Sequence, residues 1–444
     1  MRRKLSIIEH MADVNIVYVV SLVGTFSLGQ LRSALSRVQR KHPSLRALIR
    51  KASDGLYYEA DCAPEIPLRI VPRVSEYDCH RECQTELTTV FDDGLPELRV
   101  VWLQAERKSD LLLTASHRIC DAMSMFTIVR EVLRSLYTDE ELIPYEPITA
   151  QDIIGDYQPA QLWKTKLAAR LMNGLLRLIP SSRRAPGNNE HHLEWRADRA
   201  LLDALKQRCR AEDVSVHAAL AVILERALFV VFGKKKFPKW IINPMDLRRG
   251  RFAALKSDMV FSGAGTFKIR TQSPDVEFWT RARVVNDEIH REVEQEVRAI
   301  PGRFHFLERL RPLLSGQIRL LVQLSDALNF HGSWDRFGLS NLGNIVIDDS
   351  DAPFQLKDLR LYIHSFNFRL IGLVPYSVNG EMHFYCVSDE KCLSRSQLDV
   401  LKREFMALLQ HHVKQANDVA REVLRVPAVA IEGSSSVMVT GGRS

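Results

Sequence analysis

The chain has 444 residues, 46% apolar and 26% charged, the make-up of a globular protein too long for one ordinary core, so two or three domains are expected. Its formal charge of +7 is modest for that size. Basic clusters at 183–184, 234–236 and 248–251 lack the aromatic interleaving and motifs of a nucleic-acid binder, and read as solvated surface or as a rim for a phosphate-bearing partner.

The N-terminal Met1-Arg2-Arg3-Lys4 begins like a signal peptide, but Glu9 and His10 end the apolar run too early. Residues 14–23 alternate β-branched residues and predict a strand. Asn15 and Ser21 interrupt this stretch, which is far too short for a membrane span. A cytoplasmic location is the resulting expectation. Ser27 and Gln30 make a capping box, and Leu31, Ala34, Leu35 and Val38 follow at helical spacing until Pro43 stops the helix. A short strand is expected through Leu48 and Ile49. The seven cysteines are odd in number and scattered, which fits reduced thiols rather than a disulfide framework. Cys79 and Cys83 with His80 resemble half a zinc site, but no second pair lies at a helpful spacing. A helix with two half-buried thiols is expected there, and no metal.

Residues 97–105 and 110–116 predict a hairpin. Its second strand runs into His117, and Asp121 follows as a helix N-cap ahead of the apolar face Phe126, Val129, Val132, Leu133 and Leu136. Proline-spotted residues 140–190 end in the strongest linker signal of the chain, 180–189. Beyond it strands are expected near 192–197, 239–244 and 258–270, then near 343–347, 357–365, 368–377 and 381–388. Helices are expected near 199–211, 214–231, 275–297, 316–329 and 394–413. The resulting organisation is α/β: a first lobe over 1–180, a linker over 181–191, a second lobe over 192–425 and a disordered tail over 426–444.

Histidine is the side chain best suited to take a proton near neutral pH. At the mouth of a strand-to-helix junction, His117 reads as a general base on a rigid support, which points to group transfer. Asp121 could polarise the ring at that spacing or be turned away to hold the backbone.

Four segments carry a family resemblance. They are Leu31–Leu35 with Lys41-His42-Pro43-Ser44-Leu45-Arg46, Ser116-His117 to Asp121-Ala122, Pro244-Met245-Asp246-Leu247-Arg248, and Trp334 to Gly338-Leu339-Ser340-Asn341-Leu342-Gly343. In this order the chain resembles the condensation-domain and chloramphenicol-acetyltransferase-like acyltransferases over roughly 4–413. The family's His-His-x-x-x-Asp-Gly motif is altered here, with Ser116 in place of the first His and Ala122 in place of the Gly.

The resemblance implies two similar lobes forming a V, with a tunnel between them and His117 at its midpoint. His117 would be the general base of a direct acyl transfer from a coenzyme A or phosphopantetheinyl carrier-protein thioester to an alcohol or amine. Ser340 or Asn341 would stabilise the oxyanion, and Asp121 would pair with Arg248 across the lobes in a structural role. It implies no permanently bound cofactor and a monomer acting in natural-product or lipid biosynthesis. Competing readings are a non-catalytic module that recruits carrier proteins, and a metal-dependent hydrolase using His117 and Asp121.

Overall fold

The apolar N-terminal run forms the strand that organises the first half. The structure, a computed structural model, describes residues 2–5, 9–10, 12–52, 55–179, 190–248, 252–311, 317, 320, 337–363, 371–390 and 392–423. In chain order the first half contains strands β1 (Arg2–Lys4) and β2 (Asn15–Gly24), helix α1 (Leu28–Lys41), and strands β3 (Leu48–Ala52), β4 (Gly55–Glu59) and β5 (Leu68–Pro72). Helix α2 (Glu76–Thr88), strands β6 (Leu98–Gln104) and β7 (Lys108–Ser116) and helix α3 (Ala122–Ser135) complete it. The capping box of α1 is present: Gln30 N donates to Ser27 Oγ at 3.2 Å, and Ser27 N to Gln30 Oε1 at 2.8 Å.

Helices α4 (Ala150–Ile154) and α5 (Leu162–Arg177) follow, inside the proline-spotted stretch of the first lobe for which the sequence predicts no particular element. The linker also ends earlier than 191. Glu190 and His191 already belong to strand β8 (Glu190–Ala197), paired with Asp389 and Ser388.

The second half continues with α6 (Arg199–Ala211), α7 (Val216–Lys236), β9 (Trp240–Asp246), β10 (Ala264–Arg270) and α8 (Phe278–Leu307). It ends with β11 (Phe337–Leu339), β12 (Gly343–Ile345), β13 (Phe354–Ile363), β14 (Ile371–Val378), β15 (Glu381–Asp389) and α9 (Arg395–Val423). The expected helix over 316–329 and the tail over 426–444 lie outside the described residues, apart from 317 and 320. Helix α7 is long and apolar enough to cross a membrane, but its apolar side chains from Ala218 to Leu228 are packed in the second core.

Among the described residues the sheets run β1-β4-β3, β13-β2-β7-β6-β5, and β10-β9-β11-β14-β15-β8 with β12 beside β14. The second of these crosses the linker. β13 comes from the second half and pairs antiparallel with β2 along its length, from Phe354 opposite Gly24 to Ile363 opposite Ile16. Gly24 is required at that edge: its φ is +136°, and a Cβ there would lie 2.4 Å from the Pro353 carbonyl. In exchange, Ile153 and Ile154 of α4 are packed in the second core. The two cores therefore do not divide at the linker.

Candidate active site

The loop after β7 is fixed by its backbone. His117 N donates to Val14 O at 2.8 Å, Ser116 N to Glu97 O at 3.0 Å and Ile119 N to Ser116 O at 3.1 Å. Arg118 adds side-chain ties to Asp13 and Glu97 on either side of β7. Sequence reasoning passed over these three residues, although a cation next to the histidine and two acids just ahead of flanking strands are visible in the sequence. His117 itself is half-buried. Burial pushes its pKa below the usual value of 6.5, opposed by backbone hydrogen bonds with His117 itself and Cys120 and by the Asp121 charge. The ring is therefore neutral at neutral pH.

Asp121 is turned to other work. Its Oδ1 accepts from Ser124 N at 2.8 Å, capping α3. Arg248 then takes both carboxylate oxygens, Nη1 donating to Oδ2 and Nη2 to Oδ1, each at 2.9 Å. The guanidinium is 4% exposed and also meets Asp246 Oδ1 at 2.8 Å, Ser124 Oγ at 2.6 Å and, through Nε, Met259 O at 2.8 Å. It lies 4.1 Å from the centroid of the Phe261 ring. Desolvation opposes its charge, but Asp121 and Asp246 outweigh it and hold the guanidinium protonated. A bidentate fork of this kind suits arginine and not lysine.

That clamp corrects two expectations. Arg248 is no part of a solvated basic surface, and residues 249–251 of that cluster lie outside the described residues. The apolar stretch 258–263 does not join the strand that begins at Ala264. Its carbonyls are taken by the first half and by Arg248: Phe261 O accepts from Asp121 N at 3.2 Å and from Ser124 Oγ at 2.9 Å, and Met259 O accepts from Arg248. Ser124 was missed by sequence reasoning, though its place three residues into a capped helix is where a second polar group would reach the cap.

Ser340 and Asn341 follow β11 in the seven-stranded sheet. Ser340 N donates to Leu373 O at 2.9 Å, and Asn341 Oδ1 accepts from Gly343 N at 3.0 Å. Gly343 has φ +79°, so the side-chain carbonyl of Asn341 shapes a left-handed turn and its amide NH2 remains the donor end. Trp334, which opens this segment, lies outside the described residues. Cys79 and Cys83 are fully buried rather than half-buried. Burial pushes the Cys79 thiol up to about 11, and Arg360 Nη2 lies 3.4 Å from its sulfur. Among the described residues no group of three or more His, Cys, Asp or Glu side chains could hold a metal ion.

A cavity of about 750 Å³ opens beside the His117 loop. Arg118, Ile119, Tyr145, Met259, Phe261 and Phe304 are in its wall, so both halves contribute, while His117 does not line it. Nearby, His42 is a different kind of histidine. It is fully buried, with Nε2 2.7 Å from Glu131 Oε2, and Lys41 Nζ bridges Glu131 and Asp258 at 2.6 Å each.

No protein-family model matches the chain, and no curated protein matches its sequence. Solved structures do match its fold. The epimerization domain from the third module of tyrocidine synthetase B has a TM-score of 0.64 at 11% identity, covering 93% of each chain. The trichothecene 15-O-acetyltransferase TRI3 from Fusarium sporotrichioides scores 0.63 at 11% identity over 92% of this chain and 95% of its own. VibH, a nonribosomal peptide synthetase condensation enzyme, scores 0.60 at 13% identity over 95% and 96%. The chain therefore has the chloramphenicol-acetyltransferase-like fold of condensation domains and acyltransferases. Those three names cover three reactions, so the fold by itself leaves the chemistry to the site.

Proposed function

We propose that this chain is an acyltransferase of the condensation type, moving an acyl group from a coenzyme A or carrier-protein thioester to an alcohol or amine. The observation that carries the reading is the division of labour at the motif: His117 is neutral and half-buried, while Asp121, four residues on, is held bidentately by Arg248. A carboxylate so engaged supports the loop, and the imidazole is left as the base.

In this reading the ring takes the proton from the acceptor's O–H or N–H as the oxygen or nitrogen attacks the thioester carbonyl carbon. The new C–O or C–N bond forms first and the C–S bond then breaks. The departing thiolate recovers the proton from the imidazolium, so no covalent enzyme intermediate is needed. Negative charge on the carbonyl oxygen would be met by the Ser340 hydroxyl or the Asn341 amide. The cavity beside the loop would hold one reactant, and Lys166 and Arg309 in its wall suit the phosphate of a pantetheine arm.

The test is thiol release from acyl-coenzyme A and from acylated carrier protein, with candidate alcohols and amines, for the wild type and His117→Ala. Turnover that depends on the acceptor and on His117 supports the reading. Unchanged turnover in His117→Ala ends it.

A further inference from the structure

Helix α5 is amphipathic in the wrong direction for a helix that belongs only to a folded core. Its inward side holds Ala169 and Leu176, both buried. At 100° per residue, the direction opposite those two is occupied by Trp163, Leu167, Leu171 and Leu175, and by Leu178 just past the helix end. These are not grazing exposures: Trp163 is 63% exposed, Leu171 64%, Leu175 61% and Leu178 79%. An apolar stripe of four turns pointing at solvent is the signature of a surface that is covered in use.

The charge pattern names what covers it. From Leu162 to Leu178 the sequence has Lys164, Lys166, Arg170 and Arg177 and no acidic residue. Lys166, Arg170 and Arg177 flank the stripe on one side, while Lys164 stands within its angular range near the N-terminal end, its Nζ 5.5 Å from the centroid of the Trp163 ring. An apolar face edged by long cationic side chains, with a tryptophan at one end, matches a helix lying in a bilayer interface with its cations reaching anionic headgroups. A protein partner would need an apolar groove with an acidic rim on one flank. A bilayer supplies both properties everywhere along the helix.

We infer that α5 is an interfacial anchor that seats the protein on an anionic lipid surface. The same helix contributes Leu162 and Lys166 to the wall of the 750 Å³ cavity, and both lie outside the apolar stripe. The anchoring stands whether or not the acyl-transfer reading holds.

The experiment is co-sedimentation of the full chain with vesicles of phosphatidylcholine alone and of phosphatidylcholine mixed with phosphatidylglycerol. The wild type is expected to bind the anionic vesicles and to be released by salt. Leu171→Glu with Leu175→Glu should lower binding roughly tenfold or more, since each leucine loses its burial in the interface. Arg170→Gln, which removes no apolar contact, should lower it roughly fivefold and serves if the double variant misfolds. Equal binding by wild type and variants overturns the inference, as does no binding to either vesicle. A stable dimer in solution that the double variant abolishes also overturns it, by showing that a second copy covers the stripe.

Discussion

His42 ends helix α1 and His117 ends strand β7, and each stands near a carboxylate of the first half. His42 is fully buried with Nε2 on Glu131, whose other oxygen is held by Lys41. His117 is half-buried, and the acid nearest in sequence is given over to Arg248 and to the cap of α3. A histidine with a committed carboxylate and no route to solvent is part of the framework. One that is only half-buried, with its backbone fixed and a depressed pKa, is the candidate to exchange a proton with something that arrives.

The contrast breaks most sharply at His117. His117→Ala should lower thiol release roughly 10²–10⁴-fold, with the loop still tied through Val14, Glu97 and Arg118. A rate unchanged within error would put His117 in the same class as His42.

Next in size is the clamp. Arg248→Met leaves buried Asp121 and half-buried Asp246 without their cation, at a cost of about 3–5 kcal/mol, to be read by chemical denaturation. Asp121→Ala should likewise lower the yield of folded protein together with the rate. Wild-type stability with abolished activity in Asp121→Ala would mean that the carboxylate acts on the chemistry and that its pairing with Arg248 is incidental.

At His42 the sign of the comparison reverses. His42→Ala removes the partner of Glu131 Oε2 in a sealed site, for a loss of roughly 1–3 kcal/mol. Thiol release per folded molecule should stay at the wild-type level. A large fall in turnover with unchanged stability would show that the Lys41–Glu131–Asp258 cluster shapes the cavity it adjoins.

Much of this was legible before any coordinates. The capping box at Ser27, the hairpin β6–β7 and the cap at Asp121 follow from local rules, because their partners lie within a few residues. Long-range pairing did not follow from spacing. Asp121 and Arg248 are 127 residues apart, and family resemblance alone suggested their pairing. The antiparallel match of β13 with β2 joins residues more than 300 positions apart and leaves no local trace. Residues 258–263 have the apolar content of a strand but spend their carbonyls on Ser124, Asp121 and Arg248. Helix α5 was hidden because its apolar residues face outward beside cations, so they lack the pattern of a core-facing helix.

The effects of pH are the most spread out, and two readouts separate the site from the framework. Because burial lowers the pKa of His117, the acid limb of kcat/KM should fall below pH 6.5, and the enzyme should keep its rate in mildly acidic buffer. Stability should behave otherwise. Burial pushes His217 and His10 down to about 4, so as pH drops below 6.5 the unfolded chain takes up protons that the folded chain refuses. Stability is then highest above 6.5 and declines as pH falls from 6.5 towards about 4, below which these two groups add no further slope. His217, whose Nε2 lies 2.9 Å from Asn243 Oδ1, sits in the second half away from the motif. His217→Gln should therefore flatten the stability curve over that window without moving the acid limb of the rate. If one substitution moved both curves together, catalysis would be tracking unfolding rather than the protonation of His117.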